Sequence, residues 1–498
     1  MALPGTASTV PEGTTEGWTD KKRHLWLFGL VIPSAIFIIY AGWLYTGSGL
    51  WFWGGPILIL IIVPILDLIF GLDQANPPDD VIEELEADRY YRWITYLFLP
   101  IQYFGYLVVM AWIAGHNPGD WITSLLGVQD WAAAHLPARA LDNDALSSVD
   151  KIAIALSIGA VGGIGINTAH ELGHKKESHE RWLSKIALAP SAYGHFYIEH
   201  NRGHHVRVAT PEDPASSRMG ESFYRFWPRT VVGSLKSAWR LEKKRYARKN
   251  THPFHLGNDV INSWLMSAVL FGGVILAFGV ETAPYIVIAA IMGFSLLEVV
   301  NYLEHYGMLR QRVGVPGKER YERVNPSHSW NSNNIPTNVL LYHLQRHSDH
   351  HANPTRRYQA LRDFKESPVL PTGYAGMIVL ALLPPVWRRV MDHRVVEHFD
   401  GDLTLANLQP GKREKLLAKY PPKVHEHVAL ADSINEFADE VLAARCPGCG
   451  YVYDVTTGDE HEGFAAGTAW KDIPADWCCP DCGVREKVDF VPVEKVDA

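Results

Sequence analysis

The sequence predicts a mainly α protein: a six-transmembrane-helix bundle with a histidine-bearing cytoplasmic cap, followed by a small cysteine-bearing C-terminal domain. Three observations predict it. Six apolar stretches of about twenty residues, the length that crosses a bilayer core, lie between residues 25 and 303. Nine histidines recur in tight groups beside those stretches, and all five cysteines fall after residue 445. Composition agrees, with 47% hydrophobic and only 20% charged residues in a chain of 498. Mean hydropathy is only -0.06 because a large polar remainder offsets the apolar spans. A formal net charge of -8, with no basic tract interleaved with aromatic residues, sets nucleic acid aside as a partner.

Residues 1–24 are polar, and their beginning lacks the apolar core and small-residue cleavage site of a removable signal. The expected spans are 25–46, 50–72, 93–115, 150–169, 261–279 and 283–303. A polar, acidic connector runs from Asp73 to Arg92, and Arg139 is the lone Lys or Arg of 116–147. Cytoplasmic flanks carry the basic excess. Lys21, Lys22 and Arg23 precede the first span, and the run Lys243, Lys244, Arg245, Arg248, Lys249 lies in the long segment 170–260. With six spans, this places the N-terminus, that segment, the C-terminal third and every clustered histidine on the cytoplasmic side. The membrane expected is a bacterial cytoplasmic (inner) membrane. The apolar stretch 375–386 contains Pro384 and Pro385, which favours a packed or interfacial piece over a span. Residues 411–445 read as a charged linker with a helical second half, where Ile434, Phe437, Val441 and Leu442 repeat at helical spacing. The domains expected are therefore 1–24, 25–410, 411–445 and 446–498.

The histidines are His170 and His174; His200, His204 and His205; His305; and His347, His350 and His351. Residues at i and i+4 share a helix face about 6 Å apart, close enough for two imidazoles to hold one ion. His170-Glu171-Leu172-Gly173-His174 also spells the zinc-protease signature, but a single zinc would leave most of the set idle. Imidazole suits iron, copper and zinc better than magnesium or calcium, and two non-haem irons accommodate nine rings with positions to spare. Glu171, Glu199, Glu304 and Asp349 each adjoin a proposed ligand and are candidates to orient a ring through its second nitrogen, or to ligate directly.

Cys446-Pro447-Gly448-Cys449 and Cys479-Pro480-Asp481-Cys482 form two knuckles that suit one tetrahedral zinc or iron. Between and around them stand Tyr451, Tyr453, Asp454, Gly467, Thr468, Trp470, Trp477 and Phe490. This pattern resembles rubredoxin, which implies one iron on Cys446, Cys449, Cys479 and Cys482, cycling by one electron. Cys478 is left as a free thiol.

The strings HELGHKKE, EHNRGHH, NYLEHYGML, ATPEDPASSRMGES and LQRHSDHHANPTRRYQALRDF in residues 20–400 resemble those of the integral-membrane alkane 1-monooxygenases, whose relatives are the membrane fatty-acyl desaturases and xylene-type monooxygenases. The resemblance implies a histidine-held di-iron centre receiving electrons from rubredoxin. The expected activity is O2-dependent terminal hydroxylation of medium-chain linear alkanes to 1-alkanols, with a desaturase/hydroxylase or xylene-type activity as the alternative. No Gly-rich dinucleotide fingerprint follows a strand, so a separate NAD(P)H-dependent flavoprotein rubredoxin reductase is the expected partner. Alkane would arrive from the lipid bilayer, and Trp51, Ile59 and Pro64 are candidates for one tunnel wall.

Overall fold

The computed structural model describes residues 18–142, 146–314, 319–422 and 441–493. Six helices are long and apolar enough to cross a membrane: α1 (Leu25–Thr46), α2 (Gly49–Phe70), α3 (Arg89–Ile113), α4 (Ser148–Gly173), α5 (Asp259–Phe278) and α6 (Val280–Glu304). Their ends follow local chemistry. Gly47, at φ 71°, closes α1 by donating its N–H to the Trp43 carbonyl. Side-chain oxygens of Asp88, Ser147 and Asn258 accept from the first-turn amides of α3, α4 and α5. Within α2, residues Leu58–Ile62 widen into a π-helical turn ahead of Pro64, whose ring cannot donate to the preceding turn.

The spans sort by burial. Of the most apolar window of α4, 89% is buried, against 22% for α5 and 28% for α2, so α4 is the axis of the bundle and α2 and α5 face lipid. Leu68, Ile69, Val269 and Leu276 are exposed accordingly. The axis is built from small residues. A Cβ on Gly159 would fall 2.6 Å from the Ala289 carbonyl oxygen, and one on Gly163 would fall 2.9 Å from the Gly293 carbonyl oxygen. Close approach of two backbones is how membrane helices gain dispersion contact without a hydrophobic drive between them.

A cap of shorter helices covers one end. It comprises Ser178–Leu188, Phe223–Arg248, Ile335–Leu340, His347–Ala352, Tyr374–Ala381 and Pro384–His398. The stretch expected to pack rather than span does so: Tyr374, Met377, Trp387 and Met391 are buried in one cluster with Tyr302 and Tyr306. Buried Asp67 ties α2 to this cap, accepting from the Thr337 N–H (3.0 Å) and hydroxyl (2.6 Å). Lys22 does the same for the N-terminal segment, pairing with Asp73 at 2.7 Å.

The C-terminal domain is a three-stranded antiparallel sheet, with Ala443–Arg445 between Val452–Asp454 and Val491–Pro492. It therefore begins three residues before the expected boundary at 446. Val441 packs against this domain's core instead of continuing a helix. Ile434 and Phe437, also read as helical, lie outside the described residues. Tyr453, Phe464, Trp470, Trp477 and Phe490 pack around the four knuckle cysteines.

Because α4 and α6 meet through glycine, Gly159→Val should overpack the axis and cost about 1–3 kcal/mol, read as a lowered thermal midpoint of the detergent-solubilised protein. Gly272→Ala, whose Cβ would meet nothing within 4 Å, should not lower it.

Candidate metal centre

Four segments deliver the clustered histidines to one buried volume. His170 and His174 end α4, His305 follows α6, and His347, His350 and His351 come from the short cap helix His347–Ala352. His200, His204 and His205 lie in the continuous run Phe196–Glu199, His200–His204, His205–Arg207, whose middle turn is π-helical. The ligand atoms fall into two sets, each within 4.8 Å: His170, His174, His200, His205 and His350; and His204, His305, His347 and His351.

The π turn decides this division. A regular helix would pair His200 with His204, the i,i+4 pairing the sequence suggests; the wider turn instead puts residues five apart on one face. The Nε2 atoms of His200 and His205 are 3.0 Å apart, and His204 turns to the other set. Regular i,i+4 pairing does hold for His347 and His351, whose Nε2 atoms are 2.8 Å apart.

These rings fit metal ions. His350 Nε2 lies 2.8 Å from His170 Nε2 and 3.2 Å from His205 Nε2. One N–H can serve only one such contact, so most of the lone pairs face each other without a proton between them. Burial, and then the neighbouring histidines, push His174, His200, His205, His350 and His351 far below the ordinary histidine range. The rings are thus neutral at pH 7, the form that ligates.

The acidic neighbours require a correction. Glu171 pairs with Lys175 at 3.0 Å and accepts from the Tyr358 N–H, Glu199 pairs with Arg207 at 2.8 Å, and Asp349 pairs with Arg356 at 2.7 Å. None of these three orients a ring. Successive helical residues point about 100° apart, so a carboxylate beside a ligand faces away from it and ties down the surrounding loops. Glu304 differs because α6 ends there: its Oε2 lies 3.3 Å from His347 Nε2, on the ligating side. The group missed from sequence is Asp213, which accepts from His204 Nδ1 at 2.8 Å and from the Ser216 hydroxyl at 2.6 Å. Burial works against its charge, but His204, Ser216 and Arg207 hold its carboxyl well below the usual carboxylate range. Its only sequence signal is a place in the string ATPEDPASSRMGES, nine residues past His204.

An apolar cavity opens onto the cluster. Ile32, Ile59, Val63, Ile164, Leu296, Leu340 and Ile378 line it, and His170, His200, His347 and Glu304 close its inner end. Of the three expected wall residues, only Ile59 lines it. Trp51 lies on the outer face against Gly42, donating to the Thr46 hydroxyl, and Pro64 is turned away while Val63 faces in.

In the C-terminal domain, Cys446 Sγ lies 3.7 Å from Cys482 Sγ, and Cys449 Sγ lies 3.4 Å from Cys479 Sγ. Tetrahedral thiolates about 2.3 Å from one ion would be about 3.8 Å apart, so the four sulfurs are set for a metal. Cys478 stays outside this set, and burial raises its thiol well above the usual range.

A fatty acid desaturase family model matches residues 151–381 and a rubredoxin model matches 443–490. An alkane 1-monooxygenase of Acinetobacter baylyi is 45% identical over 404 residues, covering 80% of this chain and 91% of its own length. This chain belongs to the alkane 1-monooxygenases. The alkane 1-monooxygenase of Ectopseudomonas oleovorans is 42% identical over 419 residues, 84% of this chain and 96% of its own. The hydroxylase component of a xylene/toluene monooxygenase from Pseudomonas putida is more distant, at 25% over 264 residues, 53% of this chain and 68% of its own.

In this multi-pass membrane monooxygenase the rubredoxin domain sits directly on the histidine cap. Most bases in the contact belong to the cap, while His461 of the rubredoxin domain faces Asp259 of α5 at 3.8 Å. Arg181 meets Asp481 at 2.9 Å, Arg202 and Arg248 meet Glu462 at 2.5 and 3.1 Å, and Arg323 meets Asp489 at 2.7 Å. Burial disfavours charge on Glu462, but Arg202, His461 and Arg248 hold its carboxyl well below the usual range.

Asp213→Asn should lower metal affinity of the four-histidine set by about 10–100-fold, measured as metal retained per chain after dialysis against a graded chelator. The rubredoxin metal should be unaffected.

Proposed function

We propose that the enzyme hydroxylates the terminal carbon of medium-chain linear alkanes to 1-alkanols, using O2 at two irons on the histidine sets and electrons from its own rubredoxin domain. The observation that carries this reading is the apolar cavity whose inner end is His170, His200, His347 and Glu304. A linear alkane has no group for a polar pocket to grip. It gains roughly 0.8 kcal/mol for each CH2 moved from water to an apolar wall, so a chain already in lipid needs only a continuous apolar path. Ile32 of α1 and Ile59 and Val63 of α2, which line the cavity, support such a path.

Bound irons would supply the redox chemistry toward O2, which zinc lacks. The chain's own residues supply the rest. Neutral imidazoles hold the ions without cancelling their charge. Asp213 fixes the His204 ring through Nδ1, and Glu304 offers a carboxylate on the cavity side. The apolar walls keep water from the reacting carbon.

Lys21, Lys22, Arg23 and the basic segment before α5 support a cytoplasmic orientation for the cap in a bacterial inner membrane. Reducing equivalents then come from NAD(P)H through a separate flavoprotein reductase. Covalent fusion keeps the rubredoxin at a local concentration on the order of millimolar.

Purified enzyme supplied with NADH, a rubredoxin reductase and n-alkanes of graded length should yield 1-alkanols with a maximum at medium chain length. Alkenes or 2-alkanols as the main products would overturn the proposal. Val63→Trp should depress kcat/KM for the longest accepted alkanes by about tenfold or more, with little effect on the shortest, because bulk in the path costs the distal methylenes first. Cys446→Ser or Cys479→Ser should stop NADH-driven turnover while metal in the histidine sets, read by elemental analysis, stays bound.

A further inference from the structure

The rubredoxin domain carries two near-equivalent knuckles. In each, a glycine donates its N–H back to the first cysteine: Gly450 to the Cys446 carbonyl at 3.0 Å, and Gly483 to the Cys479 carbonyl at 2.9 Å. Both glycines are left-handed, at φ 78° and 67°. The rest of the enzyme breaks this equivalence. Gly483 is buried, and a Cβ there would lie 2.0 Å from the Asn201 carbonyl oxygen and 3.7 Å from His205 Cβ. Gly450 is exposed with Pro447 and Gly448, and a Cβ on it would meet nothing within 4 Å.

The place where Gly483 lands is specific. Asn201 follows His200 in the chain, and His200 and His205 both belong to the five-histidine set. Two contacts hold the knuckles in register: Lys176 Nζ donates to the Cys449 carbonyl at 2.6 Å, and Arg181 pairs with Asp481, two residues before Gly483. The second knuckle thus reaches the backbone of a ligand-bearing helix with no side chain between.

We propose that electrons leave the rubredoxin through this second knuckle, crossing from Cys482 and Gly483 to the Asn201 backbone and so to His200 and His205, while the first knuckle remains open for reduction. The inference rests on the donor role proposed above. Each crossing moves one electron: the rubredoxin iron goes from ferrous to ferric, an iron of the five-histidine set goes from ferric to ferrous, and no covalent bond changes. Gly483 is then a positioning residue twice over, adopting the left-handed turn and permitting an approach that any Cβ forbids. Gly450 needs only the turn. Alanine at the two positions therefore imposes the same backbone strain but opens the gap only at 483.

The test uses the full-length, iron-loaded enzyme and its Gly483→Ala and Gly450→Ala variants. The rubredoxin is reduced by NADH with a purified bacterial rubredoxin reductase, then mixed with oxygenated buffer containing octane. Return of the ferric rubredoxin absorption is followed by stopped flow, and the rubredoxin midpoint potential is measured for each variant. Gly483→Ala should reoxidise about tenfold more slowly or worse, as expected for a displacement of roughly 1 Å at a reacting contact. Its rate of reduction and its midpoint potential should match those of Gly450→Ala, which should reoxidise like the parent. Equal slowing in both variants, or an unchanged rate in Gly483→Ala, would overturn the proposal. The donor role has its own control: if the parent rubredoxin reoxidises equally fast when the histidine sets are stripped of metal, that role fails, whatever the variants do.

Discussion

The arrangement depends on one constraint: nine buried imidazoles must present ring nitrogens to a volume from which water is excluded. Ring nitrogens 2.8–3.3 Å apart, as in the His170–His350 and His305–His347 contacts, repel unless cations lie between them. Their positions must therefore be enforced from outside. The glycine-packed axis fixes the end of α4, with His170 and His174, against the end of α6, with Glu304 and His305. Paired charges fix the rest. Arg356 on Asp349 and Arg207 on Glu199 pin the helices carrying His350 and His204 from behind. Glu171, Glu199 and Asp349 thus serve the site by holding backbone, while of the acids that reach a ring Glu304 ends α6 and Asp213 arrives from a separate loop.

That enforced centre faces two different media. On one side an apolar cavity descends among the spans toward lipid. On the other, the cap presents arginines that pair with acids of the rubredoxin domain. Single exposed ion pairs such as Lys244 with Asp476 contribute little. The weight of the contact falls on Glu462, buried between Arg202 and Arg248, where loss of either partner would strand a charge. The cavity and the rubredoxin contact therefore lie on different faces of the histidine cluster.

How much of this is legible in sequence follows from which interactions are local. The six spans, the clustered histidines and the cysteine knuckles are local in composition, and the structure places them close to the positions expected from residues alone. Pairing is not local. Whether His200 joins His204 or His205 depends on a π turn, which no residue type in EHNRGHH signals by itself. On α2, Ile59 and Val63 face the cavity while Trp51 lies on the outer face, because which side of a span meets the core is set by its neighbours and not by the span itself. Asp213 eluded sequence reading because its link to His204 closes a loop through Ser216. Adjacency in sequence misled at Glu171, Glu199 and Asp349 because adjacent residues on a helix diverge.

The same π turn gives the two metal sets different surroundings. By sending His200 and His205 one way and His204 the other, it makes one set of five rings and one of four. Asp213 backs the four-ring set through His204, and Glu304 lies beside His347 of that same set. Carboxyl side chains thus collect around the four-ring position. The five-ring position has only neutral imidazoles as ligands and lies under the buried rubredoxin knuckle at Gly483. The cavity touches both sets, through His170 and His200 on one side and His347 on the other. A single widened helical turn thus sets a five-ring group beneath the rubredoxin domain apart from a four-ring group backed by carboxyl side chains, with one cavity touching both.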